Sequence, residues 1–171
     1  MKISEITYYK YLFLSEQDQF DIMEVAKCSE LIPIDCYKWT WGDVKWCQDS
    51  MMSGHTFEDV LQLAQKEGTK LTMQSPAISV LRFYLSVVKA IEDVTKKESS
   101  VMSYESTPKE MAAAEAVGGF AKFGTLPQTL RLVGIIAPSI EQVEACDYGT
   151  AFMSLWYKNV EADFQKQLYK Q

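Results

Sequence analysis

Four thiols, one imidazole and a scatter of carboxylates are the groups in this chain that could carry bond-making chemistry. The thiols are Cys28, Cys36, Cys47 and Cys146. No two of them form Cys-x-x-Cys, and their gaps fit no zinc-binding pattern. In a chain read as intracellular they are expected to stay reduced and buried. His55, in Ser53-Gly54-His55-Thr56, is the single histidine. A nucleophilic pair would need a thiolate held beside that ring, and nothing in the spacing favours one; His55 reads as a solvated loop residue. The acids Glu58-Asp59, Glu92-Asp93, Glu161 and Asp163 include no Glu-x-x-His, which a di-iron helical bundle requires. Acid pairs of the glycosidase kind can lie far apart in sequence and stay open, but solvated helix faces account for these residues. Gly118-Gly119 lacks the Lys and Ser/Thr of a phosphate loop and follows a helical segment, so it reads as a helix terminus. No catalytic residue, cofactor site or metal site is expected.

The aromatic residues are more distinctive. Trp39, Trp41 and Trp46 crowd together with Tyr37, and alternation at 37, 39 and 41 would put those rings on one side of an extended segment. They read either as a local core with a staple at a helix entry or as anchors of a protein interface, where Trp and Tyr dominate the energetics. Stacking on single-stranded nucleic acid would need a basic groove, and Lys38 and Lys45 are the only cations nearby. Phe152, Trp156 and Tyr157 pose the same choice. The candidate interface residues are therefore Trp39, Trp41, Trp46, Trp156 and Tyr157.

Helices must position these groups. Ser15 with Asp18, Thr40 with Asp43, and Thr56 with Asp59 each set a hydroxyl before an acidic first turn, where it can accept from an unpaired backbone N–H. These caps predict helices reaching about Lys27, a second carrying Val44, Cys47 and Met51 on one face, and a third from Phe57 to about Glu67, closed by Gly68. Ser75-Pro76 opens a long helix with apolar residues at Ile78, Leu81, Leu85, Val88 and Ile91, widened by Val80, Phe83, Tyr84 and Val87 into a surface contacted on several sides. Thr95 to Ser100 and Tyr104 to Thr107 are polar and aperiodic. They read as a linker dividing the chain near residue 103 into helical regions 1–103 and 104–171, which could still form one compact domain.

The second region opens on a capping box, Thr107-Pro108-Lys109-Glu110. Short helices follow from Pro127 and from Ser139, the latter with Ile140 and Val143 facing inward. A last helix runs from Asp147 to about Tyr169 with the stripe Phe152, Leu155, Trp156, Val160, Phe164 and Leu168. Alternation at 2–6 and 70–74 allows a two-stranded patch, which is marginal alone. The fold class is all-α: a multi-helix orthogonal bundle, as one domain or two small helical subdomains with that minor decoration. Residues 22–47 and 130–157 echo each other. Each has a short helix, a proline (Pro33, Pro138), then an aromatic-Gly pair (Trp41-Gly42, Tyr148-Gly149) opening a helix; duplication and shared turn chemistry both explain this.

Composition narrows function. The 171 residues are 47% hydrophobic and carry a net charge of −6. That suffices for a packed core, and the acidic balance disfavours broad binding to nucleic acid or anionic membranes. No Lys/Arg cluster exceeds Lys96-Lys97, and the longest apolar run, 132–137, is far too short to span a bilayer.

The second half, with Gly119-Phe120-Ala121-Lys122-Phe123, Leu130-Arg131-Leu132-Val133, Ile140-Glu141-Gln142-Val143-Glu144, Asp147 to Met153 and Glu161 to Leu168, resembles the small helical proteins encoded among the head and tail genes of tailed bacteriophages. Its acidic-aromatic segment Asp163-Phe164-Gln165-Lys166 is part of that likeness, and the first half is similar in style to tail-assembly chaperones. The resemblance implies a non-enzymatic structural or assembly protein of connector or chaperone type. Its partners would be other phage structural or assembly proteins or further copies of itself, in the host cytoplasm during assembly or in the virion. The alternative is an acidic regulatory module that inhibits or sequesters a host protein.

Overall fold

The computed structural model describes residues 3–53, 57–102 and 123–169, and the single positions 109, 112, 115, 116 and 119. His55, Thr56, the capping box at Thr107 and Glu110, Gly118 and the division near residue 103 lie outside the described residues. Within them the chain is all-α: α1 (Tyr8–Tyr11), α2 (Glu16–Lys27), α3 (Trp41–Ser53), α4 (Phe57–Lys66), α5 (Ala77–Met102), α6 (Leu126–Leu132), α7 (Ile140–Glu144) and α8 (Tyr148–Leu168), with 3-10 turns at Ile3–Glu5 and Cys36–Lys38. No sheet forms among the described residues; β-pairing is confined to isolated bridges at Thr7–Pro76, Thr40–Asp147 and Val133–Ala137. The two-stranded patch is thus reduced to one bridge. Residues 3–5 turn into a 3-10 helix, and the neighbouring backbone bonds, Tyr8 N–H to Ser75 O (2.9 Å) and Ala77 N–H to Ile6 O (2.8 Å), come from helix entries rather than strands.

The caps explain where helices begin. Ser15 accepts from Asp18 N–H at 3.2 Å, Thr40 from Asp43 N–H at 3.2 Å, Ser139 from Gln142 N–H at 3.3 Å and Asp147 from Thr150 N–H at 2.9 Å. Each satisfies a donor that the first helical turn leaves orphaned. The end of α4 is set by Gly68, whose φ of +70° is the left-handed conformation that closes a helix, with Thr69 N–H reaching back to Ala64 O.

The chain forms two compact units. The first comprises Met1–Ile34 and Ser53–Ala90. Its core joins Ile6, Tyr11, Ile22, Ala26, Ala77 and Leu81, bordered by Tyr8, Met23, Ile78 and Leu85. Val80, Phe83 and Val87 on α5 are buried too, as the broad apolar surface of that helix leads one to expect. Ser86 takes the Ile32 N–H at 2.9 Å and donates to Arg82 O, so this buried hydroxyl is satisfied on both sides.

The second unit comprises Asp35–Met52 and Ile91–Gln171. Its core holds Cys36, Trp39, Trp41, Val44, Cys47, Ile91, Val94, Leu132, Val143, Tyr148, Ala151, Phe152 and Leu155. The expected linker at Thr95–Ser100 is instead the last part of α5. Its polar residues break no helix, because Glu98 continues the inward stripe Ile91, Val94 and faces a buried cation. Two smaller expectations also change. Ile140 is exposed while Val143 alone points inward, since α7 is a five-residue helix that buries a single position. Of the four thiols, none in a disulfide, only Cys36 and Cys47 are buried; Cys28 is exposed at the C-cap of α2.

Candidate interaction surface and the core that positions it

Within the second unit the ends of the echoed segments that lie in it meet, at Trp39–Trp41 and Cys146–Tyr148. Thr40 and Asp147, the residues that cap α3 and α8, form an antiparallel bridge. Trp41 N–H donates to Cys146 O at 2.8 Å, and Tyr148 N–H donates to Trp39 O at 3.0 Å. The exchange is reciprocal, and the aromatic residues that follow the caps stack, with ring centroids 5.6 Å apart and planes 15° from parallel. Setting Trp41 on Tyr148 puts Cys36 on Val143, Val44 on Ala151 and Lys45 on Phe152, each pair buried alike. The prolines fall out of that register by two positions. Gly42 sits at the close approach: a Cβ there would lie 2.9 Å from Glu144 Cβ and 3.1 Å from its carbonyl oxygen, closer than a rigid backbone atom admits.

A buried polar network ties α3, α5 and α8 together. Lys45, 4% exposed, donates from Nζ to Glu98 Oε1 at 2.6 Å. Tyr148 donates its hydroxyl to the same oxygen at 2.5 Å, and Gln48 donates to Glu98 Oε2 at 2.9 Å. The ammonium lies 4.3 Å from the centroid of the Trp41 ring, and Trp41 Nε1 donates to the buried Thr129 hydroxyl at 2.9 Å. Every charge therefore has a partner, the condition under which a buried ion pair is tolerated. Burial pushes the Lys45 ammonium below the usual lysine range against the opposing pull of Glu98. Burial, with the Glu98 charge beside it, pushes the Tyr148 hydroxyl well above the usual tyrosine range. A lysine and a carboxylate bonded to each other and roofed by an indole hold one another in place.

The network predicts a particular alkaline behaviour. Replacing Tyr148 by Phe removes a hydrogen bond to a charged acceptor and is expected to cost about 1.5–3 kcal/mol at neutral pH. Above about pH 10 the unfolded tyrosine releases its proton while the folded one keeps it, so the native state binds more protons and stability falls with pH. Tyr148→Phe lacks that loss. Urea midpoints of the two proteins are expected to converge as pH rises past about 10, and a constant gap would contradict the buried donor.

Anchored this way, α8 buries only its first two turns. Tyr148, Ala151, Phe152 and Leu155 are its buried residues. From Trp156 to Leu168 the helix continues for about 20 Å at 1.5 Å per residue with no further buried side chain. Met153, Trp156, Tyr157, Val160, Phe164 and Leu168 recur every three or four positions along that length, and all are exposed, Tyr157 to 65% and Phe164 to 59%. Over the register that matches α3 to α8, α3 ends opposite Val160, so the last two turns of α8 have no counterpart there.

The five candidate interface residues divide accordingly. Trp39 and Trp41 are core residues, 5% and 0% exposed, and are corrected from surface anchors to internal ones. The physical reason is that residues 36–38 form a 3-10 turn and Trp41 begins α3, so no extended strand arrays rings 37, 39 and 41 on one side. Trp46, Trp156 and Tyr157 are exposed, with Trp46 on α3 and the other two on the α8 stripe. Of the residues that hold the unit together, Tyr148 carried a legible signal in the cap at Asp147, and Glu98, set in a polar run, carried none. Partnership between them has no local signature. Among the described residues no group of His, Cys, Asp and Glu side chains is placed to hold a metal ion, and no helix is long and apolar enough to cross a membrane. No protein-family model, curated protein or solved structure matches this chain.

Proposed function

We propose that this protein works by docking onto other proteins through the exposed apolar face of α8, as a non-catalytic structural or assembly component of the kind found in tailed-phage head and tail modules. The observation that carries the reading is the stripe from Met153 to Leu168, apolar along several turns and left exposed among the described residues. A helix needs such a stripe only where something packs on it, and exposed apolar faces of this extent mark interaction sites. The phage assignment rests on the sequence likeness of the second half.

Coexpression with the products of neighbouring reading frames, followed by mass measurement in solution, tests it. The native chain is expected to form a complex or a defined oligomer. Tyr157→Ser with Phe164→Ser is expected to abolish it, since truncating each true anchor costs about 2 kcal/mol, or about thirtyfold in affinity, while circular dichroism and melting temperature stay near native. Unchanged assembly would count against the α8 face. Collapse of the fold would show that the stripe is core instead.

A further inference from the structure

The α8 stripe is flanked by acid on both sides, and this indicates what it receives. We infer that its occupant is a basic amphipathic helix rather than a second copy of this chain; the inference rests on the docking role proposed for α8. The seam is helical in kind: Met153, Tyr157, Val160 and Phe164 follow the four-three-four spacing by which one helix takes another along its length. At 100° per residue, Glu161 borders this seam on one side and Asp163 on the other. Lys158 and Lys166 lie towards the opposite face. Lys158 Nζ meets Glu161 Oε2 at 2.7 Å, but both side chains are about two-fifths exposed, and such a pair is weak enough to be exchanged for an incoming cation.

Self-pairing does not neutralise these flanks. In an antiparallel pair each flank meets its own copy, Glu161 against Glu161 and Asp163 against Asp163. In a parallel pair Asp163 falls opposite Leu168 and Glu161 opposite Trp156, so neither carboxylate gains a cation from the other copy. A helix with Lys or Arg on both sides of its apolar stripe meets opposite charge along both borders, in keeping with a chain whose net charge is −6.

Two synthetic helical peptides sharing one leucine stripe, with flanks all Lys or all Glu, test this against the full chain by fluorescence anisotropy at low and high salt. At low salt the Lys-flanked peptide is expected to bind at least about tenfold more tightly, with the gap closing at high salt. Glu161→Lys with Asp163→Lys should reverse the preference. Phe164→Ser, or Leu168→Ser if the first is unstable, should weaken binding of both peptides. Equal binding of the two peptides that still depends on Phe164 would overturn the basic partner and leave the docking face standing. Binding of neither peptide, or binding indifferent to Phe164 and Leu168, would overturn the docking face itself. A dimer of the chain alone, dissociated by Phe164→Ser, would make the second copy the occupant and overturn the inference.

Discussion

Replacing Lys45 by Met is expected to destabilise the protein by about 3–5 kcal/mol, the usual consequence of removing one member of a buried ion pair. The loss has two parts. Glu98 keeps its bonds from Tyr148 and Gln48 but loses the one cation bonded to it among the described residues, so a buried carboxylate is left without that compensation. The methionine fills the lysine stem's volume, so little of the loss should come from packing. A second substitution separates the two: Lys45→Met with Glu98→Gln is expected to be more stable than Lys45→Met alone, because the stranded charge is gone. Denaturant midpoints with unchanged m-values measure both. A loss below about 1 kcal/mol for Lys45→Met would mean that the pair is hydrated in solution.

The second large effect concerns Trp41. Trp41→Ala is expected to cost about 3–5 kcal/mol. It removes a fully buried ring that stacks on Tyr148, roofs the Lys45 ammonium and donates to Thr129. Part of that figure is the cavity, which would open beside the ion pair and admit water to it. Trp41→Phe keeps most of the ring and loses the donor, so about 1–3 kcal/mol is expected, the cost of leaving the Thr129 hydroxyl unsatisfied. Trp156→Ala is the contrast. That ring is 38% exposed on the part of α8 beyond the core, and its removal should change stability by no more than about 0.5 kcal/mol while weakening partner binding. Equal destabilisation by Trp41→Ala and Trp156→Ala in thermal melts would mean that both rings are internal.

These two residues show how far the sequence could be read. Helix starts were legible because a cap is local: Ser15, Thr40, Ser139 and Asp147 each meet a backbone N–H three positions on. The all-α class followed from the apolar period of α5 and α8. The roles of Trp41 and Trp156 were not legible, because an apolar side chain at helical spacing has the same pattern whether its own chain or another covers it. Glu98 was hidden for a different reason. In a run of polar residues it resembles its solvated neighbours, and only Lys45, arriving from far along the chain, makes its burial favourable. The pairing of Thr40 with Asp147 was visible only as an echo of turn chemistry, since likeness between two segments does not say that they touch.

The polar network also has a consequence for synthesis. Lys45 and Glu98 are 53 positions apart, and Glu98 and Tyr148 a further 50. At roughly 5–20 residues per second on the ribosome, α3 emerges some 5–20 s before the last member of its network. The unit made of Met1–Ile34 and Ser53–Ala90 can close well before then. Meanwhile the nascent chain carries Trp41 and Val44 as an uncovered greasy ridge with a cation beside it, so newly made chains should be most vulnerable to clumping and proteolysis in that interval, and the arrival of Tyr148 should end it.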